Sequence, residues 1–270
     1  MNSGGAELLA KAEAAPQTEP QTGARAETET KAQTGARAET ATEAQTGARA
    51  AARARAEAGV ESESPPPLAG GGQGEGVATP PLTTLAAEIR ACRVCITHLP
   101  LGPRPVFRAS TTARLLIMSQ APGTKVHETG LSFNDPSGDR LRAWLQMDRD
   151  TFYDEARVAI LPMGLCYPGR LPNGGDAPPR PECAPLWHPR LLPLMPNIRL
   201  TLLVGTYALA HVLGRGAMTD YVRDFRAYLP CHFPLPHPSW RTSAWERRNP
   251  WFPEEVLPAL RHAVTAALGK

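Results

Sequence analysis

Through residue 81 the chain has no aromatic residue, no histidine and no cysteine; all of its aromatics, all 7 histidines and all 5 cysteines lie beyond that point. The only large aliphatic residues before residue 82 are Met1, Leu8, Leu9, Val60, Leu68 and Val77. A segment this poor in apolar surface cannot offset the entropy of ordering itself, so residues 1–81 are expected to form a disordered extension. No run approaches the roughly 18 apolar residues of a membrane span. The N-terminus also lacks the apolar core of a secretory signal, and its glutamates argue against a transit peptide. These absences lead to the expectation of a cytoplasmic protein with a single folded domain over 82–270. Lysine is scarce there too: Lys125 and Lys270 are the only two, and arginine supplies the remaining basic charge. The guanidinium fork suits phosphate and carboxylate partners, although a solvated basic surface has the same composition.

Residues 21–56 repeat a 12-residue unit three times (QTGARAETETKA, QTGARAETATEA, QTGARAAARARA). Alanine is its only apolar residue, so the unit has no face on which to stack. The following SESPPPLAGGGQGEG reads as a flexible linker. Whether the stretch tethers the domain or is a dispensable tail stays open.

From residue 115 short apolar runs alternate with amphipathic stretches. Leu115–Met118, Val158–Leu161, Leu200–Val204 and a run around Phe233–Pro236 read as strands. Ser137–Met147, with Ser137 as its cap, an irregular Leu186–Leu194, Tyr207–Leu213 stopped at Gly214, and Glu254–Leu268 read as helices. The alternation predicts an α/β fold: three layers, α/β/α, around a central, mainly parallel four-stranded sheet. In such folds ligands bind beyond the carboxyl ends of the strands, which places loops 119–136, 162–175 and 236–243 around one cleft.

The cysteines fall at 92, 95, 166, 183 and 231. One C-x2-C pair followed by two dispersed cysteines suits an iron–sulfur cubane; zinc and free buried thiols are the other readings. Cys231, in a strand region, is read as a small buried hydrophobe and set aside.

Three loop motifs complete the pattern: Ser119-Gln120-Ala121-Pro122-Gly123 after the first strand, Thr129-Gly130-Leu131-Ser132-Phe133, and His237-Pro238-Ser239-Trp240-Arg241. In this order, interleaved with the four cysteines, they resemble the uracil-DNA glycosylase superfamily, in particular its iron–sulfur-containing bacterial and archaeal branches. The resemblance covers about residues 85–268. It implies a monofunctional glycosylase, a hydrolase that removes uracil or another deaminated base from DNA, acting as a nucleoid-associated monomer. Phe133 would stack on the extruded base, and His237 would hydrogen-bond the base and stabilise its anion. Ala121 and Gly123 would face base and sugar, with Gln120 beside them. Ser239 would grip phosphate, and Trp240 and Arg241 would wedge the duplex. Cys92, Cys95, Cys166 and Cys183 would hold a structural 4Fe-4S cluster, with zinc as the alternative. Arg247 and Arg248 beside Trp245 extend the cationic, aromatic loop.

This chain departs from that pattern in four places. Gln120 stands where relatives have Glu, Ala121 where other branches have an acid, Pro162 where many have an Asn near the base, and Thr242 at a second-motif position that is often Asn. Glu128 is then the expected water-activating base, with His127 next. A catalytically weak or inactive nucleic-acid-binding member of the fold, and a zinc-stapled interaction domain, are the competing readings.

Overall fold

A computed structural model describes residues 81–269 apart from residue 173; the expectations for the repeats and linker lie outside the described residues. In chain order the helices are α1 (Leu82–Arg90), α2 (Thr124–Thr129), α3 (Pro136–Leu145), α4 (Arg149–Tyr153), α5 (Cys183–Leu191), α6 (Thr206–Leu213), α7 (Met218–Arg223), α8 (Thr242–Arg248) and α9 (Leu257–Leu268). The strands are β1 (Leu115–Met118), β2 (Val158–Ile160), β3 (Leu200–Val204) and β4 (His232–Leu235). They pair in the order β2-β1-β3-β4, every neighbour parallel. Short, largely apolar and buried strands of this kind need cover on both faces. One face, carrying Leu115, Ile117, Ile160, Leu202 and Phe233, packs against Leu141 and Trp144 of α3 and Leu260 and Val264 of α9. The other, carrying Leu116, Met118, Leu161 and Leu203, packs against Ile89 of α1, Trp187 of α5 and Leu209 of α6. The fold is thus the three-layer α/β/α sandwich.

Local differences from the sequence reading have physical reasons. The cap of α3 is Asp135 rather than Ser137: its side chain accepts from the Gly138 amide at 2.8 Å, and Pro136 occupies the first turn, where a missing N–H does no harm. The helix over Leu186–Leu194 starts earlier, at Cys183, and tightens into a 3-10 turn over Leu192–Leu194, beginning just before Pro193. The last helix is preceded by a π-turn over Phe252–Val256. Cys231 is exposed, at the approach to β4, and not a buried hydrophobe.

One polar side chain sits deep in the second core layer. His188 is 1% exposed; its Nε2 hydrogen-bonds the Pro162 carbonyl at 3.0 Å, and its ring meets that of His211 edge-on at 5.6 Å. Burial pushes its pKa down to about 4, against about 6.5 for the unfolded chain. Between those values the unfolded state binds the extra proton, so stability rises with pH through the window and is lost on acidification. We expect this residue to remove roughly 3 kcal/mol of stability between pH 7 and pH 4. Chemical denaturation across that range should show a steeper acid loss in the wild type than in His188→Gln, which cannot take up a proton.

Candidate active site

Because all four strands run the same way, their exits share one edge, and a pocket of about 500 Å³, counting the space open to solvent, lies there. Its wall is built from Ser119 and Ala121–Gly123 after β1, Ser132, Phe133, Asp135 and Ser137 before and within α3, Ile160 and Pro162 at the end of β2, Asp176, and His237 after β4. The first two loops are stitched together by the Met163 amide donating to the Ser119 carbonyl (2.8 Å) and the Gly164 amide to the Gln120 carbonyl (2.9 Å).

Phe133 occupies this wall in a left-handed conformation, φ 56°, which a bulky residue adopts only when its surroundings enforce it. They do. Buried Arg142 donates to the Phe133 carbonyl at 3.3 Å, the Tyr153 hydroxyl donates to the Ser132 carbonyl at 2.9 Å, and Arg142 joins the two by donating to the Tyr153 oxygen at 3.3 Å. Arg142 is itself held by Asp139 at 2.5 Å and lies over the Phe152 ring, which meets Phe133 edge-on at 6.0 Å. Gly138 is required beneath this turn, since a Cβ there would lie 1.7 Å from the Phe133 carbonyl oxygen. Next to the ring, Ser132 Oγ is buried with no hydrogen-bond partner among the described residues.

His237 approaches from the other side. A Cβ on Gly205, which ends β3 at φ 87°, would come within 3.3 Å of His237 Cβ, so only glycine allows this close packing without displacement. The His237 carbonyl accepts from the Ser239 amide (2.8 Å) and from the Thr242 hydroxyl, fixing the loop's first turn. Arg140 of α3 pins the rest: it donates to the Ser239 carbonyl (3.0 Å) and Ser243 Oγ (2.9 Å), and pairs with Glu246 at 2.7 Å. Burial lowers the His237 pKa, an effect opposed by the nearby Asp135 and Asp176 carboxylates, so the ring is neutral at neutral pH.

Of the residues expected at the site, Phe133, His237, Ala121 and Gly123 line this one pocket. Gln120 does not; its side chain turns to the Ala177 carbonyl at 3.5 Å and braces the neighbouring hairpin. Glu128 lies on the exposed side of α2, with its carbonyl accepting from Arg104 at 2.9 Å, because the buried side of that short helix is taken by Val126. His127 is half-buried against Tyr167, outside the pocket wall. Trp240 stands out from its loop at 75% exposure, with the Arg241 guanidinium over its ring and close to Gly175. Trp245 faces inward instead: its Nε1 donates to Thr219 Oγ1 at 2.8 Å and its ring packs on Trp251 and Phe252. Arg247 and Arg248 are exposed. Two pocket carboxylates escaped the sequence reading, Asp135 and Asp176. The Asp-Pro-Ser sequence, with its cap and first-turn proline, was a usable signal for the first; the second lies one residue past the expected loop.

Cys92, Cys95, Cys166 and Cys183 line a separate cavity, of about 360 Å³ with its open side, together with Leu99, Pro103, Pro105 and Trp187. Burial pushes the Cys166 thiol up to about 11 and the Cys183 thiol up to about 12, so without a cation beside them both stay protonated. The Leu165 amide points at Cys183 Sγ at 3.3 Å. Among the described residues no three His, Cys, Asp or Glu side chains converge on a point where a single ion could sit. The donor set around this cavity is four thiols, the ligand chemistry of an iron–sulfur or a zinc site.

The sequence pattern of the uracil DNA glycosylase superfamily matches residues 107–261. That span covers more than half of the chain and includes the whole sheet and pocket, and the protein belongs to this superfamily of DNA glycosylases. Among the described residues no helix is long and apolar enough to cross a membrane.

The Phe133 turn yields a stability test. Gly138→Ala forces a backbone clash and is expected to cost about 3 kcal/mol or more. Tyr153→Phe removes the bond donated to Ser132 and the one accepted from Arg142, and should cost about 1–2 kcal/mol. Thermal melts of the two variants should differ in that order; equal melts would mean that the Phe133 turn is not held as described.

Proposed function

We propose that the protein is a monofunctional DNA glycosylase that hydrolyses the N-glycosidic bond of uracil, or of another deaminated base, swung out of DNA. The observation that carries this reading is the shared pocket, which has an aromatic shelf (Phe133) and a neutral histidine (His237) at the carboxyl edge of the sheet. An enzyme that acts on a base must first take it out of the stack, and a shelf with hydrogen-bonding groups beside it receives such a base. As the bond breaks, negative charge gathers on the base and positive charge on the sugar. His237, neutral and already aimed, donates an N–H to the base carbonyl where the negative charge grows, with no reorganisation at that moment.

The carboxylate that faces the sugar and its attacking water is assigned to Asp135 and not to the exposed Glu128. Asp135 Oδ1 is tied to the Gly138 amide, which fixes the side chain, and its proximity to His237 places negative charge beside the reacting bond. Ser239, Trp240 and Arg241 form the DNA-facing edge: Trp240, three-quarters exposed, acts as the wedge, and Arg241 supplies phosphate contact. We assign Cys92, Cys95, Cys166 and Cys183 to a structural 4Fe-4S cluster. When bound, it supplies a covalent staple between the segment around residue 92, the loop at 166 and the start of α5.

Incubation with oligonucleotides carrying uracil, hypoxanthine or xanthine, followed by alkaline cleavage, should yield strand breaks at a lesion. His237→Ala should lower the excision rate about 10²–10³-fold while the melting temperature stays close to wild type. A wild-type protein that binds these duplexes and cleaves none is a binding module without turnover. Independently, protein purified without oxygen should carry about four irons and four acid-labile sulfides per chain. Cys183→Ala should lose most of both; a fully zinc-loaded or metal-free wild type would refute the cluster assignment.

A further inference from the structure

Base choice in this pocket is decided by which polar groups remain free to meet a nucleobase. At position 162 there is no side-chain donor or acceptor, proline has no N–H, and its carbonyl is already held by His188 Nε2. The first-motif loop is engaged as well: the Ser119 and Gln120 carbonyls accept amides from the next loop, and the Gln120 side chain braces Ala177. One oxygen of Asp135 is committed to the α3 cap.

Asp176 is different. It is presented by a small hairpin closed by the Leu171 amide on the Gly175 carbonyl (2.9 Å) and the Ala177 amide on the Gly169 carbonyl (2.8 Å). That hairpin holds its carboxylate over the first motif, where a Cβ on Gly123 would meet Asp176 Oδ2 at 3.5 Å. Its side chain lines the same pocket as Phe133 and His237. Half-burial, with a smaller push from the Asp135 carboxylate, raises its pKa, while Arg170, His237 and Arg241 pull in the other direction.

We propose that Asp176 is the specificity-determining residue of the pocket, accepting the ring N–H that uracil and hypoxanthine have and that cytosine and adenine lack. The proposal rests on the glycosylase reading above and adds a residue and a discrimination rule to it. Ionised, a carboxylate accepts hydrogen bonds and cannot donate them. Uracil and hypoxanthine present a ring N–H where cytosine and adenine present a lone pair, so the same carboxylate attracts the first pair and repels the second. Leaving a buried polar group opposite the wrong partner is the strongest form of rejection that a small pocket has.

The test uses the full chain and two readouts. The first is kcat/KM on uracil-containing duplex for wild type, Asp176→Ala and Asp176→Asn. The second is equilibrium binding to duplexes whose target nucleotide, uridine or cytidine, carries a 2′-fluoro group that blocks cleavage. Asp176→Ala should lose at least tenfold in kcat/KM, chiefly through KM. Asp176→Asn, whose amide can turn either its oxygen or its nitrogen to the base, should keep uracil binding but lose at least tenfold of the preference for uracil over cytosine. Neither variant should lower the melting temperature, which separates reading of the base from a structural role. Unchanged discrimination in both variants overturns the proposal even where the wild type excises uracil. Loss of discrimination in the binding assay supports it even where no turnover is seen, in which case the glycosylase reading alone fails.

Discussion

Parallel pairing of β2-β1-β3-β4 is the constraint on which the site depends. It sends every strand's exit to one edge, so loops distant in sequence must meet there or leave polar backbone buried without partners. They meet through backbone bonds, Met163 to Ser119 and Gly164 to Gln120, and the pocket is the space that those bonds leave between the loops. Two glycines set how closely the walls approach: Gly138 under the Phe133 turn and Gly205 against His237. Neither lines the pocket, yet each fixes the position of a side chain that does.

The sheet and its order of elements were legible in the sequence because four short apolar runs separated by amphipathic stretches admit few other arrangements. Phe133 and His237 were legible through motifs. Asp176 was not, since a carboxylate in a Gly- and Pro-rich hairpin has no periodicity to mark it, and its meaning comes only from lying over Gly123. Glu128 was the candidate that the family resemblance offered on the loop after the first motif, but a six-residue helix has one buried side, and Val126 occupies it. Trp245 looked like part of an exposed aromatic, cationic loop; the turn into α8 carries it inward to Thr219 and Phe252. Interleaving in sequence does not determine which side of a helix faces solvent.

The pocket and the cysteine cavity share one rigid part. Helix α5 begins at Cys183 and, one turn on, carries His188, whose ring holds the carbonyl of the pocket residue Pro162. A group bound by the thiols would therefore also fix the register of α5 and, through it, the end of β2. Such a group would bear on the pocket only through this helix, without touching it. On the other side of the sheet, α3 has the same double duty. Asp135 caps its start, Arg140 pins the His237 loop, and Arg142 secures the shelf, so one helix positions groups on both walls of the pocket.

The central claim is that this pocket receives a base rotated out of a duplex. The direct measurement places 2-aminopurine beside a 2′-fluorinated uridine, so that extrusion unstacks the fluorophore while the glycosidic bond stays intact. The account predicts a rise in 2-aminopurine fluorescence on binding, much reduced for Phe133→Ala. Binding of the wild-type protein with no change in that fluorescence would contradict it.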